Sequence, residues 1–113
     1  GIFLAKYLSE NKFPKKILST FLVCPPFDDT LPSDHLAGGF KLQSNLSLVE
    51  KNTNKLTLLF SKHDDVVPVS HAKKYASKLP KAKIIVYKHI EGHFRITKFP
   101  EIVRMITQDV RRA

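Results

Sequence analysis

The 113-residue chain has one cysteine, no tryptophan, one methionine and four glycines, and its 10 acidic residues are outnumbered by 19 basic ones. The lone cysteine, Cys24, excludes a disulfide framework within the chain and suits a reducing compartment, so a cytoplasmic location is expected. No apolar run nears the roughly 20 residues that a bilayer crossing needs. The opening Gly1-Ile2-Phe3-Leu4-Ala5-Lys6 also lacks the charged stretch and cleavage site of a secretory signal. A soluble chain with no membrane partner is therefore expected. Cys-x-x-Cys is absent, and His35, His63, His71 and His89 are scattered through the chain, so neither a metal centre nor a cofactor is expected.

What is present suits one globular domain or a large piece of one: 42% of residues are hydrophobic and 26% charged. The formal net charge of +9 raises nucleic-acid binding at once. Its distribution argues otherwise. The lysines fall as singles or pairs between apolar residues (Lys15-Lys16, Lys73-Lys74, Lys81, Lys83), as solvated faces would place them, with no dense basic stripe.

Ile2, Phe3, Leu4, Tyr7 and Leu8 recur at helical spacing and Pro14 supplies a stop, which predicts a helix over 2–11. Only Gly1 precedes it, without a capping side chain, so a segment upstream is expected. Three short apolar runs rich in β-formers read as buried strands: Ile17 to Cys24, Leu56 to Phe60 and Ile84 to Tyr87. Amphipathic helices are predicted over about 44–51, 70–79 and 100–110, the last with Ile102, Val103, Ile106 and Val110 as a buried stripe. Strands alternating with helices of this length predict an α/β fold, a three-layer sandwich with a parallel sheet, because each parallel strand needs a crossover to return. Residues 25–55 open on a Pro-, Gly- and Asp-rich stretch and read as a lid- or cap-like region within that single domain. An unpaired apolar edge is expected at the first strand, which would make these residues associate when isolated.

In parallel sheets, ligands bind beyond the carboxyl ends of the strands. There the second strand is followed by Ser61-Lys62-His63-Asp64-Asp65-Val66-Val67-Pro68 and the third by Glu91-Gly92-His93-Phe94. A carboxylate and an imidazole thus leave neighbouring strand tips on one edge of the sheet. Such a pair serves acyl transfer: the carboxylate fixes the imidazole's tautomer, and the other ring nitrogen takes a proton from a nucleophile. Either Asp64 or Asp65 could instead shape the turn or cap the helix near Pro68, and an isolated Gly-His-Phe is a weak signal. Cys24, closing a buried strand, reads as a small inert apolar residue.

The order carboxylate then histidine resembles the second half of the α/β-hydrolase fold, whose triad runs Ser, Asp or Glu, His. The segment SKHDDVVPVSHAKKYASKLPKAKIIVYKHIEGHF is similar to the small serine hydrolases of the retinoblastoma-binding protein nine type, a likeness extending over nearly the whole chain and weakest in 25–55. The resemblance implies a C-terminal half of one domain, with Asp64 as triad acid, Asp65 as the alternative and His93 as general base. It also implies a small ester or other acyl substrate and no cofactor. The nucleophilic serine would precede Gly1 in a G-x-S-x-G elbow, together with the oxyanion hole. Ser9, Ser19 and Ser61 lack that glycine-flanked setting, so the chain alone is expected to be inactive. The competing expectation is a non-catalytic protein-interaction module on the same fold, with a protein partner.

Overall fold

The computed structural model describes residues 2–28, 30–31, 42 and 45–112, leaving out the side chain of residue 3. The order is α1 (Ile2–Glu10), β1 (Ile17–Val23), α2 (Ser47–Asn52), β2 (Thr53–His63), α3 (Ser70–Lys78), β3 (Lys83–Glu91) and α4 (Pro100–Arg112). All three strands run parallel in the order β1-β2-β3, with Leu22 opposite Leu58 and Leu58 opposite Ile84. This is the α/β arrangement expected from the alternation of strand and helix.

β2 is central, and its run Leu56, Leu58, Leu59 and Phe60 is buried because helices cover both faces. On one face Leu22, Leu56, Leu58 and Phe60 meet Ala5 and Leu8 of α1, Val49 of α2, and Ala72 and Tyr75 of α3. Each fully buried Leu or Phe contributes roughly 1.5–3 kcal/mol from removal of apolar surface from water. Asn52, also buried, fastens α1 to this layer: its amide nitrogen donates to the carbonyls of Leu8 (2.9 Å) and Asn11 (2.6 Å), and its oxygen accepts from the Phe13 amide (2.8 Å). One of the end carbonyls of α1, which no later turn can satisfy, and the Asn11 carbonyl just beyond the helix are thereby paired.

α4 lies on the opposite face, where Asp109 accepts hydrogen bonds from Ser19 of β1 (2.5 Å) and Lys55 of β2 (3.1 Å). The buried stripe expected on α4 is not buried. Val103 and Val110 are about 60% exposed (61% and 60%) and Ile106 is exposed as well, because the helix touches the sheet mainly through β1, where Ile106 and Val110 line an open groove with Leu18 and Phe21.

The strands outrun their apolar cores. β2 begins at Thr53 and ends at His63, and β3 ends at Glu91, opposite His63. A break in register between Ser61 and His63 lies just before the loop that carries Asp64. Of the lid-like region expected at 25–55, residues 29, 32–41, 43 and 44 fall outside the described part. Residues 47–52 form α2, and residues 53–55 already belong to β2. Pro26, Phe27 and Thr30 are held against α3: the Tyr75 hydroxyl donates to the Pro26 carbonyl (2.8 Å), the Phe27 amide donates to Nδ1 of the buried His71 (2.8 Å), and Nε2 of His71 lies 3.0 Å from the Thr30 carbonyl.

Candidate active site

Parallel strands put all their carboxyl ends on one edge, and three of the chain's reactive groups follow those ends directly: Cys24 after β1, Asp64 after β2 and His93 two residues after β3. Their backbones are bent to match. Cys24 (φ 46°), Gly92 (φ 56°) and Phe94 (φ 51°) occupy the left-handed region, which turns the chain sharply at the strand tips. For Cys24 and Phe94 this conformation is strained, a feature that concentrates at functional sites.

Oδ2 of Asp64 lies 2.8 Å from Nδ1 of His93. The Asp64 side chain is 1% exposed while that of His93 is 41% exposed, so the carboxylate is held inside and the ring reaches out. The other carboxylate oxygen, Oδ1, accepts the amides of Val66 and Val67, both at 2.8 Å. Asp64 therefore shapes its own turn and orients the imidazole at once. Burial pushes its carboxyl pKa up, but hydrogen bonds from the Cys24 thiol, the Val67 amide, the His93 ring and the Val66 amide together hold it below the ordinary carboxylate range. The group is thus an anion facing Nδ1, and Nε2 is left as the ring's second nitrogen.

Asp65, the alternative acid, points elsewhere: its carboxylate pairs with the Arg95 guanidinium on the surface. Ser61 is fully buried and donates to the Ile90 carbonyl (2.6 Å), while also accepting the His63 amide (3.2 Å), so it ties the acid loop to the strand that leads to His93. Ser9 donates within α1 to the Lys6 carbonyl (2.6 Å), and Ser19 donates to Asp109.

The remaining histidines do not join the cluster. His71 is buried against Phe27 and Thr30, His89 pairs with Glu101 of α4 (3.2 Å), His63 is exposed at the end of β2, and position 35 lies outside the described residues. His89 and His93 stand four apart, a spacing that brings two ligands together on a helix. Here it spans a strand and a turn, and the two rings find different carboxylates.

Cys24 is the member that sequence inspection missed. It is 2% exposed, its Sγ lies with the Asp64 and His93 donors inside 4.8 Å, and burial, then the Asp64 carboxylate, pushes its thiol pKa far up. The signal available was positional: Cys24 ends the strand beside the one that carries the acid.

No family model and no curated protein matches the chain. Among solved structures, the crystal structure of the ydeN gene product from B. subtilis is similar, with a TM-score of 0.83 at 20% identity, over 97% of this chain. The chain spans 60% of the length of that one. At this identity the likeness shows the fold, an α/β unit with a parallel sheet.

Proposed function

We propose that this chain is the acid-and-base half of an α/β-hydrolase, a serine hydrolase of the small retinoblastoma-binding protein nine type that cleaves carboxylic esters or related acyl bonds. The observation that carries the reading is the 2.8 Å contact between a buried, ionised Asp64 and Nδ1 of the half-exposed His93 at adjacent strand tips. In this reading Asp64 holds the tautomer in which Nε2 is unprotonated. Nε2 then takes the proton from a serine Oγ as that oxygen attacks the acyl carbon, and returns it to the departing alcohol. A water activated by the same nitrogen afterwards frees the acid and the serine. In this reading the serine and the oxyanion donors are not among the described residues, which on their own are expected to be inactive. A cytoplasmic location and a small acyl substrate complete the proposal. No helix among the described residues is long and apolar enough to cross a membrane.

A fluorophosphonate probe applied to the complete gene product tests this. Labelling of one serine is expected, abolished in His93→Ala and slowed roughly 10³- to 10⁴-fold in Asp64→Asn, where the ring loses its tautomer control. A folded complete protein that takes no label contradicts the reading. That outcome favours the non-catalytic interaction module, for which the exposed Val103, Ile106 and Val110 on α4 offer an apolar surface.

A further inference from the structure

The geometry points to a second use of the same strand tips: Cys24 Sγ, Asp64 Oδ2 and His93 Nδ1 form a three-ligand site for a borderline divalent cation of the Zn²⁺ class, which takes the place of the proton between Asp64 and His93. One ligand atom from each residue lies within 4.8 Å of the others, with Asp64 Oδ2 and His93 Nδ1 2.8 Å apart, although the residues stand 40 and 29 positions apart in sequence. Zinc binds thiolate, imidazole and carboxylate at about 2.0–2.3 Å, so tetrahedral corners stand about 3.3–3.6 Å apart. The 2.8 Å Asp64–His93 contact has to open by about 0.5 Å, and the thiol, within 4.8 Å of the other two donors, has to close by no more than about 1.5 Å to meet that geometry.

The set matches the ion in kind as well as in spacing. One soft sulfur, one imidazole and one carboxylate suit zinc or cobalt and not magnesium or calcium, which take oxygen donors. A thiolate and a carboxylate neutralise a divalent charge. Oδ1 of Asp64 stays anchored by the Val66 and Val67 amides, the outer support that orients ligating carboxylates. Of the three ligands only His93 reaches solvent, its side chain being 41% exposed against 1% for Asp64, so an ion would enter past the imidazole ring. On binding, the Cys24 thiol releases its proton to solvent, and the Nδ1 proton of the neutral ring leaves while Nε2 gains one, so one proton is freed per ion. Ion binding stands on the donors alone. Its consequence, that an ion on Nδ1 removes the base from acyl transfer, rests on the hydrolase reading above.

Cobalt(II) titration of the full chain in a non-thiol reductant tests the site. A thiolate-to-cobalt absorption band is expected to saturate at one ion per chain, to vanish on adding Zn²⁺, and to be accompanied by paramagnetic shifts of the His93 ring protons. Cys24→Ser removes the band and His93→Gln weakens binding by at least about tenfold, while Asp65→Asn leaves both unchanged. No band in folded wild-type protein, a band without movement of the His93 resonances, or equal affinity in His93→Gln overturns the site. The two wild-type readouts decide the matter even if a variant fails to fold. A band without fluorophosphonate labelling sinks the hydrolase reading alone, and labelling without a band sinks the ion site alone.

Discussion

Ser61 donates to the Ile90 carbonyl from a fully buried position where β2 leaves its register. Removing its hydroxyl leaves the Ile90 carbonyl without this partner in a buried setting, a cost of about 1–3 kcal/mol. Ser61→Ala is therefore expected to lower unfolding free energy in urea by that amount with little change in denaturant slope. An unchanged midpoint contradicts the role. At this scale the sequence was partly legible. Asp64 and His93 could be named because each follows a strand-like run, whereas the work of Ser61 could not, since its partner lies 29 residues away. The choice between Asp64 and Asp65 was equally hidden. It depends on Arg95 drawing Asp65 to the surface and on two amides closing a turn over Asp64.

α3 holds the segment after β1 through Asp28, whose carboxylate accepts from Lys74 (2.7 Å) and from the Thr30 amide (2.9 Å). Burial tends to raise the Asp28 pKa, but bonds from Lys74 and Thr30 outweigh it and set the value at about 2, against 3.8 for the free group. A carboxyl lowered by folding stabilises the fold above its unfolded value and loses that contribution as pH falls through the folded one. The window is therefore roughly pH 4 to 2. Asp64 and Asp109, also lowered, act with the same sign. Asp28 is 40% exposed and solvent screens it, so its share is small. Thermal melts followed by circular dichroism at pH 5 and pH 2 should show a smaller fall in Tm for Asp28→Asn than for wild type, by about 1–4 °C. Equal falls contradict the tether. Of the elements themselves, the buried run of β2 was legible because helices cover both faces of the sheet there, whereas β1 and β3, expected to be buried alike, are edge strands on which Leu18 and Val86 stay exposed. The polar ends of β2 and β3 were not legible, since ladder hydrogen bonds extend a strand past its apolar run. α4 misled for the opposite reason: an apolar stripe signals a helix face whether or not a neighbour covers it.

Across the whole molecule, the parallel topology does what no local motif can. It brings positions 24, 64 and 93 to one edge, with the central strand buried on both faces to hold them there. The alternation of strand and helix was enough to foresee that edge and two of its three occupants. The third, Cys24, passed as core because its strand tip reads as apolar, and the left-handed turn at that residue, where the thiol joins the cluster, leaves no mark in the sequence. The central claim is that Asp64 orients His93. Imidazole ¹⁵N–¹H spectra of the full chain, recorded where the ring is neutral, measure it most directly. The His93 proton is expected on Nδ1, strongly deshielded by the carboxylate, in wild type and in Asp65→Ala, and on Nε2 in Asp64→Ala. An Nε2–H ring in wild type, or a spectrum that Asp64→Ala leaves unchanged, would contradict the account.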